Sequence, residues 1–413
     1  MKCRFSIVSS FALVVCLTSS GGADATTVSS NCSALSSSPI FQVINATTKA
    51  SLLTSSQSQA GSAPTTLFSA SLTSATGLVG AHRMYNASSK DYFWTINSNE
   101  VVSAAKNYGY VDQGISFFVS SAAASCTQPV YRFQSGAMHR FAVSQADQNA
   151  LKASGWKSEG IVFYGGLPPM PTGNLPGWTL VYSNDFNTPL DTKKEWGIYD
   201  NSVSGANQDT SYWSKDHVTV ADGMLNLNGY VDSKVPAKYQ GRVTTGGLGL
   251  WNLRDQAGQI GQKFGKWEML VRIDQCSDVK YAWLLWPASG NWPSGGEVDY
   301  AEDGGGNRAS TSATIHYANA SGKDAILPQD SFPNPASPGF FSSWHVIGVE
   351  WTAAQIRYTL DGQYWGAPKT THLPPGPMVF VLQTEGVLAT KKVTLGTAQC
   401  NAQIGWVVQY KPQ

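Results

Sequence analysis

Three carboxylates stand close together in the stretch WLLWPASGNWPSGGEVDYAED, which runs from Trp283 to Asp303. Side chains alternate between the two faces of a β-strand, so Glu297 and Asp299 are expected to point to the same side. Glu302 lies five positions after Glu297 and would face the other side of a regular strand. One extra residue in a β-bulge restores its facing. The spacing Glu-x-Asp-x-x-Glu therefore predicts three acids on one face of a strand that is bulged between Asp299 and Glu302.

Such a cluster is unfavourable for stability, because like charges raise one another's pKa. A retaining glycosidase needs this arrangement. In that reaction one carboxylate attacks the sugar and another donates a proton to the leaving oxygen, with the two about 5–5.5 Å apart. Asp299 would hold a proton or a hydrogen bond beside the attacking group, so that the cluster titrates as a unit.

Two tryptophans lie just upstream of the acids, Trp286 and Trp292, and flat aromatic faces suit the apolar faces of sugar rings. Without this context, three acids within six residues would be a solvated face or a calcium loop. The pattern Glu-x-Asp-x-x-Glu after Trp-Pro-x-x-Gly, here residues 292–296, resembles glycoside hydrolase family 16. Its bulged form is similar to the laminarinase-like and galactanase-like members.

Further stretches carry the same resemblance from residue 178 to the end. They are the opening strand Trp178–Phe186, the strand Gly265–Arg272, the Ile-His-aromatic strand at Thr314–Tyr317, and Trp344–Trp351 before an Asp-Gly hairpin at 361–362. The family's strand that begins Gly-x-aromatic-Glu usually carries Arg two positions after the Glu, where this chain has Leu270. Arg272 would keep a basic group on that face.

The resemblance implies an all-β catalytic domain over 178–413, a concanavalin-like β-sandwich jelly roll with a cleft across one sheet. Glu297 would be the nucleophile, Glu302 the general acid and then base, and Asp299 the supporting acid. Substrate contacts are expected from Trp286, Trp292, His316 and Gln383, with a structural hydrogen-bonded role as the alternative for the histidine.

The implied activity is a retaining endo-glycosidase that hydrolyses β-1,3- or mixed β-1,3/1,4-glucan. A galactan hydrolase or transglycosylase of the same fold is the alternative, and a lectin-like protein without turnover is another. No cofactor is needed for the chemistry and no metal ligands are predicted. A structural calcium ion is compatible with the resemblance, but no acidic cluster places it.

The N-terminal segment predicts export. Residues 1–25 combine Lys2 and Arg4, an apolar core and a small-residue cleavage site, which is typical of a signal peptide. The mature chain would be a secreted, extracellular monomer that acts on a polysaccharide and leaves the membrane after signal removal. Its formal net charge of +1 does not favour nucleic acid. Four sequons would accept glycans in a glycosylating host: Asn31, Asn45, Asn86 and Asn319.

Four cysteines remain after export, and three pairings are open to them. We expect Cys32–Cys126 and Cys276–Cys400, because each pair then stays within one predicted domain.

Residues 26–166 contain an internal repeat. The stretches at 82–118 and 131–164 align, each with a strand pair, a short helix and a Gly-x-x-x-x-Gly-Ile tail, and a third, degenerate copy begins near Phe41. This predicts a pseudo-three-fold, β-rich domain with short helices. It resembles a tandem-repeat domain of unknown function in secreted proteins. Its aromatics are expected to form a core, with sugar binding or a spacer role as alternatives. The Pro/Gly-rich residues 167–177 are predicted to be a linker.

Overall fold

The computed structural model describes residues 32–60, 66–124, 126–204, 211–332, 338–387 and 399–413. The predicted signal peptide lies outside them. No helix within these ranges is long and apolar enough to cross a membrane.

The N-terminal region consists of three copies of one β-β-α-β unit, so the predicted pseudo-three-fold, β-rich architecture is confirmed. In each copy the first strand pairs with the second and third. A short helix, α1 (Cys32–Leu35), precedes them. The copies are β1 (Ser38–Ile44), β2 (Ser51–Thr54), α2 (Gln57–Ala60) and β3 (Thr66–Ala70); β4 (Val79–Asn86), β5 (Asp91–Thr95), α3 (Ser98–Tyr108) and β6 (Val111–Val119); β7 (Thr127–Ser135), β8 (Met138–Ala142), α4 (Gln145–Ala153) and β9 (Lys157–Gly166).

One apolar core unites the three copies, because a single unit cannot bury its own apolar face. Equivalent positions of β2, β5 and β8 supply Leu53, Trp94 and Phe141, all buried. The repeated aromatics therefore pack in the core, as expected. The predicted disulfide between Cys32 and Cys126 is present and ties the start of the first copy to the start of the third.

The C-terminal region is a β-sandwich. We call its larger layer the outer sheet, with the strand order β12-β13-β16-β15-β28-β18-β24-β25-β26, to which β10 and β14 add. Its strands are β10 (Trp178–Asn184), β12 (Ser202–Ser204), β13 (Ser211–Trp213), β14 (Val218–Ala221), β15 (Met224–Val231), β16 (Val243–Thr245), β18 (Gly265–Ile273), β24 (His345–Trp351), β25 (Ile356–Leu360), β26 (Gln363–Lys369) and β28 (Cys400–Pro412).

The second layer carries the three acids, and we call it the cleft sheet. Its order is β11-β17-β27-β19-β20-β21-β22, with β23 beside β21. Its strands are β11 (Gly197–Ile198), β17 (Gly247–Gly249), β19 (Val279–Pro287), β20 (Glu297–Asp303), β21 (Thr311–Ala318), β22 (Asp324–Ile326), β23 (Asp330–Phe332) and β27 (Met378–Gly386). Short 3-10 turns lie at Lys215–His217, Ala237–Tyr239 and Phe340–Ser342.

The two sheets face each other across one core rich in aromatic side chains. Trp267 and Trp351 of the outer sheet and Trp283 and Tyr300 of the cleft sheet are completely buried there. Alternation along each strand then turns every second side chain away from this core. The expected all-β sandwich is therefore confirmed, and its cleft sheet presents one face outward.

The predicted linker covers part of the outer sheet. Leu167, Met170 and Leu175 pack on an apolar patch that includes Leu270 and Trp406. The Trp406 indole also donates a hydrogen bond to the Pro168 carbonyl at 2.9 Å. This segment is therefore packed against the sandwich rather than a free tether.

The prediction of a Cys276–Cys400 disulfide is wrong for this structure, in which both residues are free thiols. They lie in one small cluster, and a hydrogen bond with Cys400 lowers the Cys276 pKa to about 7. The Cys400 thiol is buried and receives a long contact from the Arg308 guanidinium at 3.9 Å. The placement of both cysteines in one predicted domain was consistent with their lying close together, but closeness alone does not form a disulfide.

Candidate active site

Strand β20 contains the expected bulge. Its pairing with β21 runs in register from Glu297 to Asp299 and shifts before Glu302. On the other side, Trp283 of β19 pairs with Ala301, and the next residue pairs with Asp299. The extra residue brings Glu302 to the face that already carries Glu297 and Asp299.

The register orders the open face of the cleft sheet into rows. Glu297 lies between His316 on β21 and Trp286 on β19, two residues that the sequence placed at the substrate. In a further row, Glu302 pairs with Ala282 on β19, and Ala282 pairs with Gln383 on β27. All seven predicted catalytic and substrate-contact residues lie on or beside this face.

Glu297 is held by the tryptophan loop before it. The Trp292 indole nitrogen donates a hydrogen bond to Glu297 Oε2 at 2.6 Å. The Trp286 and Trp292 rings lie almost parallel, 4° apart in plane and 6.4 Å between centroids. Burial raises the pKa of Glu297 to about 7, although the His316 charge and the Trp292 hydrogen bond act in the opposite direction.

Asp299 is the most enclosed of the three acids. Burial, and then the Glu297 charge, raise its pKa well above the usual range. His316 Nε2 lies 3.4 Å from Asp299 Oδ2, and the other ring nitrogen contacts Asp324 Oδ1 at 3.0 Å. The His316 ring thus bridges two carboxylates, which fixes its orientation beside Glu297.

Glu302 is oriented from β21. Thr314 Oγ1 donates a hydrogen bond to Glu302 Oε1 at 2.8 Å, and Gln329 Nε2 contacts the same oxygen at 3.4 Å. The end of β20 is anchored below the cleft by the buried Arg308, whose Nη1 lies 2.6 Å from Asp303 Oδ2. Strand and side chain are therefore both fixed where Glu302 stands.

A second polar group occupies the far end of the same face. Gln383 donates to Glu385 Oε1 at 2.8 Å, and Lys280 Nζ lies 3.0 Å from Glu385 Oε2. Gly247 stands beside Gln383 on β17, where a Cβ would lie 2.5 Å from the Tyr199 ring. The missing side chain lets that ring lie over the sheet and form a wall of the cleft.

One group among the described residues has the spacing of metal ligands. Ligand atoms of Glu297, Asp299 and His316 all lie within 4.8 Å of one another. These are the residues of the acid cluster itself, and their hydrogen bonds already account for the arrangement.

Sequence reasoning missed the residues that orient the acids. Thr314 stands two positions before His316, so strand alternation would have placed both on the cleft face. Asp324, Gln329 and Tyr199 carry no local signal, since they reach the site from separate elements that only the fold brings together.

Two family models match the chain in separate segments. Residues 39–166 match a domain of unknown function, DUF5648, and residues 207–378 match glycosyl hydrolases family 16. The first match coincides with the three β-β-α-β copies. The second contains the bulged strand and its three acids.

Curated relatives cover the C-terminal half. A glucan endo-1,3-β-glucosidase A1 of Niallia circulans is 28% identical over 219 residues, which are 48% of this chain and 30% of that protein. A β-glucanase of Rhodothermus marinus is 24% identical over 196 residues, 45% of this chain and 64% of that protein. The chain thus spans less than two thirds of the length of these relatives.

A solved laminarinase catalytic domain of Thermotoga maritima is 17% identical, with a TM-score of 0.46, and the match covers 57% of this chain and 99% of that one. The part of the chain that carries the bulged acid strand is thus similar to glycosyl hydrolases family 16, and the part before it is similar to the DUF5648 domain.

Proposed function

We propose that this chain is a retaining endo-glycosidase that hydrolyses β-1,3- or mixed β-1,3/1,4-glucan. The observation that carries the proposal is the bulge in β20, which places Glu297, Asp299 and Glu302 on one open face beside Trp286 and Trp292. The match to a glucan endo-1,3-β-glucosidase and a β-glucanase supports the choice of substrate class.

Glu297 attacks the anomeric carbon and forms a glycosyl-enzyme, while Glu302 donates a proton to the departing oxygen. Glu302 then takes a proton from water, which releases the sugar with retained configuration. The enclosed Asp299 keeps its proton and stabilises the Glu297 carboxylate, so negative charge concentrates on the attacking group. The chemistry requires no cofactor.

The geometry supports a different task for each wall of the cleft. The parallel Trp286 and Trp292 rings offer faces for stacking sugars beside the attacking carboxylate. Gln383 and Tyr199 would contact sugars on the other side of Glu302. The chain would act outside the cell as a monomer, following the predicted signal peptide.

The test separates the two catalytic glutamates. Reducing-sugar release is measured on laminarin, lichenan, xyloglucan and agarose for the wild type, Glu297→Gln and Glu302→Gln, with Glu350→Gln on the outer sheet as a matched control. We expect release from a glucan, lost in the first two variants and kept in the control. On an aryl β-glucoside with a good leaving group, added azide should restore turnover in Glu302→Ala and give the β-glycosyl azide, because the leaving group needs no acid and azide attacks the glycosyl-enzyme in place of water. In Glu297→Ala azide would displace the leaving group directly and give the α-glycosyl azide, so the product's configuration separates the two roles.

Proton NMR of the first product reports its anomeric configuration. A retained configuration is expected from the two-step reaction. Inversion, or activity that survives in Glu297→Gln, would refute the mechanism. Release from agarose alone would keep the mechanism and change the substrate to a galactan.

A further inference from the structure

The outward face of the outer sheet is divided in two. Leu270, Trp406 and Val408 form an apolar half, and residues of the linker cover it. The other half is polar and lies where β14, β15 and the start of β28 meet. It forms a groove of about 380 Å³, on the opposite side of the sandwich from the acids. We call it the amide groove.

Five side-chain amides line this groove, together with two carboxylates and one aromatic ring. The amides are Asn226, Asn228, Gln399, Asn401 and Gln403. Strand register explains their grouping, because Asn226 pairs with Gln403 and Asn228 with Asn401 on adjacent strands. All four therefore point to the same side of the sheet.

Internal hydrogen bonds preorganise the amides. Gln403 donates to Asn226 Oδ1 at 3.0 Å and accepts from Arg272 Nη1 at 2.9 Å. Asn228 donates to Thr219 Oγ1 at 3.1 Å. These side chains are fixed on strands, so little conformational entropy is lost when a ligand binds them.

One buried acceptor in the groove has no hydrogen-bond donor among the described residues. Asn401 Oδ1 is shielded from solvent and accepts no hydrogen bond from the part of the chain that the structure describes. Its amide nitrogen makes a long contact to Gln399 Oε1, at 3.5 Å. A buried acceptor without a partner is unfavourable, and turning the Asn401 amide toward the groove would let a ligand hydroxyl donate to it.

The chemistry of the lining selects the kind of ligand. Amides and carboxylates both accept hydrogen bonds, and the amides also donate them, which suits neighbouring hydroxyl groups. The Tyr230 ring, stacked on His217 with 4.0 Å between centroids, adds a flat apolar face. Asp216 and Asp222 would repel an anion, and no lysine or arginine is among the described lining residues. The lining is also too polar for a lipid.

We infer that the amide groove is a second carbohydrate-binding site, for a neutral oligosaccharide separate from the one in the catalytic cleft. Because the two sites lie on opposite sheets, one short oligosaccharide cannot occupy both. The site would hold the protein on one polysaccharide strand while the catalytic cleft binds another strand. Laminarihexaose is the probe because the proposed substrate is a β-1,3-glucan, but binding in the amide groove does not require turnover.

The experiment uses the full chain with Glu297→Gln, so that the probe is not consumed. Isothermal titration with laminarihexaose, and in parallel with cellohexaose, gives the number of sites. We expect two sites for laminarihexaose, and Asn401→Ala should weaken one of them at least tenfold. The melting temperature of the Asn401→Ala variant should not fall, because the deleted acceptor had no hydrogen-bond donor among the described residues.

A second variant blocks the groove by bulk. Ala221 is exposed at its edge, and Ala221→Tyr should abolish the same binding event without removing any amide. Gln363→Ala, an exposed amide on the edge strand β26, is the matched control and should keep both sites. One site in the parent, or two sites that persist in both groove variants, would overturn the inference. If the wild type hydrolyses laminarin but Glu297→Gln shows a single binding site, the inference is overturned and the proposed function stands.

Discussion

The hydrogen bond from Trp292 to Glu297 should shift the acid limb of the pH profile of activity to lower pH. The proposed nucleophile must be ionised to attack, and its pKa is about 7 in the free protein. The kcat/KM of the wild type should therefore rise with pH through about 7, because that ratio reports ionisations of the free enzyme. Trp292→Phe keeps an aromatic ring and removes the N–H donor at 2.6 Å from Oε2.

The size of the effect follows from the hydrogen bond. A hydrogen bond to a charged group contributes about 1.5–3 kcal/mol. Since Trp292 is 38% exposed, we take the lower end, about 1.5 kcal/mol. This corresponds to about one pH unit. The acid limb should move upward, so that kcat/KM of the variant is about one tenth of the wild-type value at pH 5 and nearly equal to it at pH 9, where any loss from ionisation of Glu302 is common to both.

The assay is initial-rate hydrolysis of laminarin between pH 4.5 and 9.5. Trp286→Phe is the matched control, because that ring stacks with Trp292 but does not donate to Glu297. Any loss that comes only from weaker sugar stacking should be the same at every pH and appear in both variants. A Trp292→Phe profile that drops uniformly, with its acid limb in place, would refute the reasoning.

Three other changes test the structure. Glu297→Gln should stabilise the fold by at most about 3 kcal/mol above pH 7 and add nothing below pH 4.5, because the raised pKa of Glu297 makes the wild type lose stability as the pH rises from 4.5 to 7. Thermal melts at pH 4, 6 and 8 test this, and an equal shift in melting temperature at all three would contradict it. Cys32→Ser with Cys126→Ser opens a crosslink between residues 94 positions apart and should destabilise the repeat domain by about 4 kcal/mol in urea unfolding; an unchanged free energy of unfolding would contradict this. Gly247→Ala should cost about 1–3 kcal/mol and lower kcat/KM on laminarin, because its Cβ would displace the Tyr199 ring; unchanged kinetics would remove that ring from the cleft wall.

Local spacing was enough to locate the acid strand. Glu297, Asp299 and Glu302 lie within six residues, so their common facing depends only on strand alternation and one bulge. The internal repeat was readable for a similar reason, because the same residue types recur at equivalent places in each copy. The structure shows the β-β-α-β order even in the first copy, whose aromatic position holds Leu53.

Partners from distant segments were not readable. The cysteine prediction shows the limit: Cys276 and Cys400 are neighbours in space, as the domain argument implied, yet they remain thiols. Sequence parity can place a residue on a face, but it cannot give the distance between two sulfur atoms or the orientation of their side chains.

The sequence by itself determined the repeat and the common facing of the three acids, because periodicity and short motifs are properties of neighbouring residues, while the sandwich class came from the resemblance to a family. Tertiary structure alone decided how the acids are held, through His316 between Asp299 and Asp324. It also decided that the linker packs on one half of the outer sheet and leaves the amide groove open. These features depend on which distant strands pair and on which faces are covered. Both are set by the packing of the whole chain rather than by any local pattern.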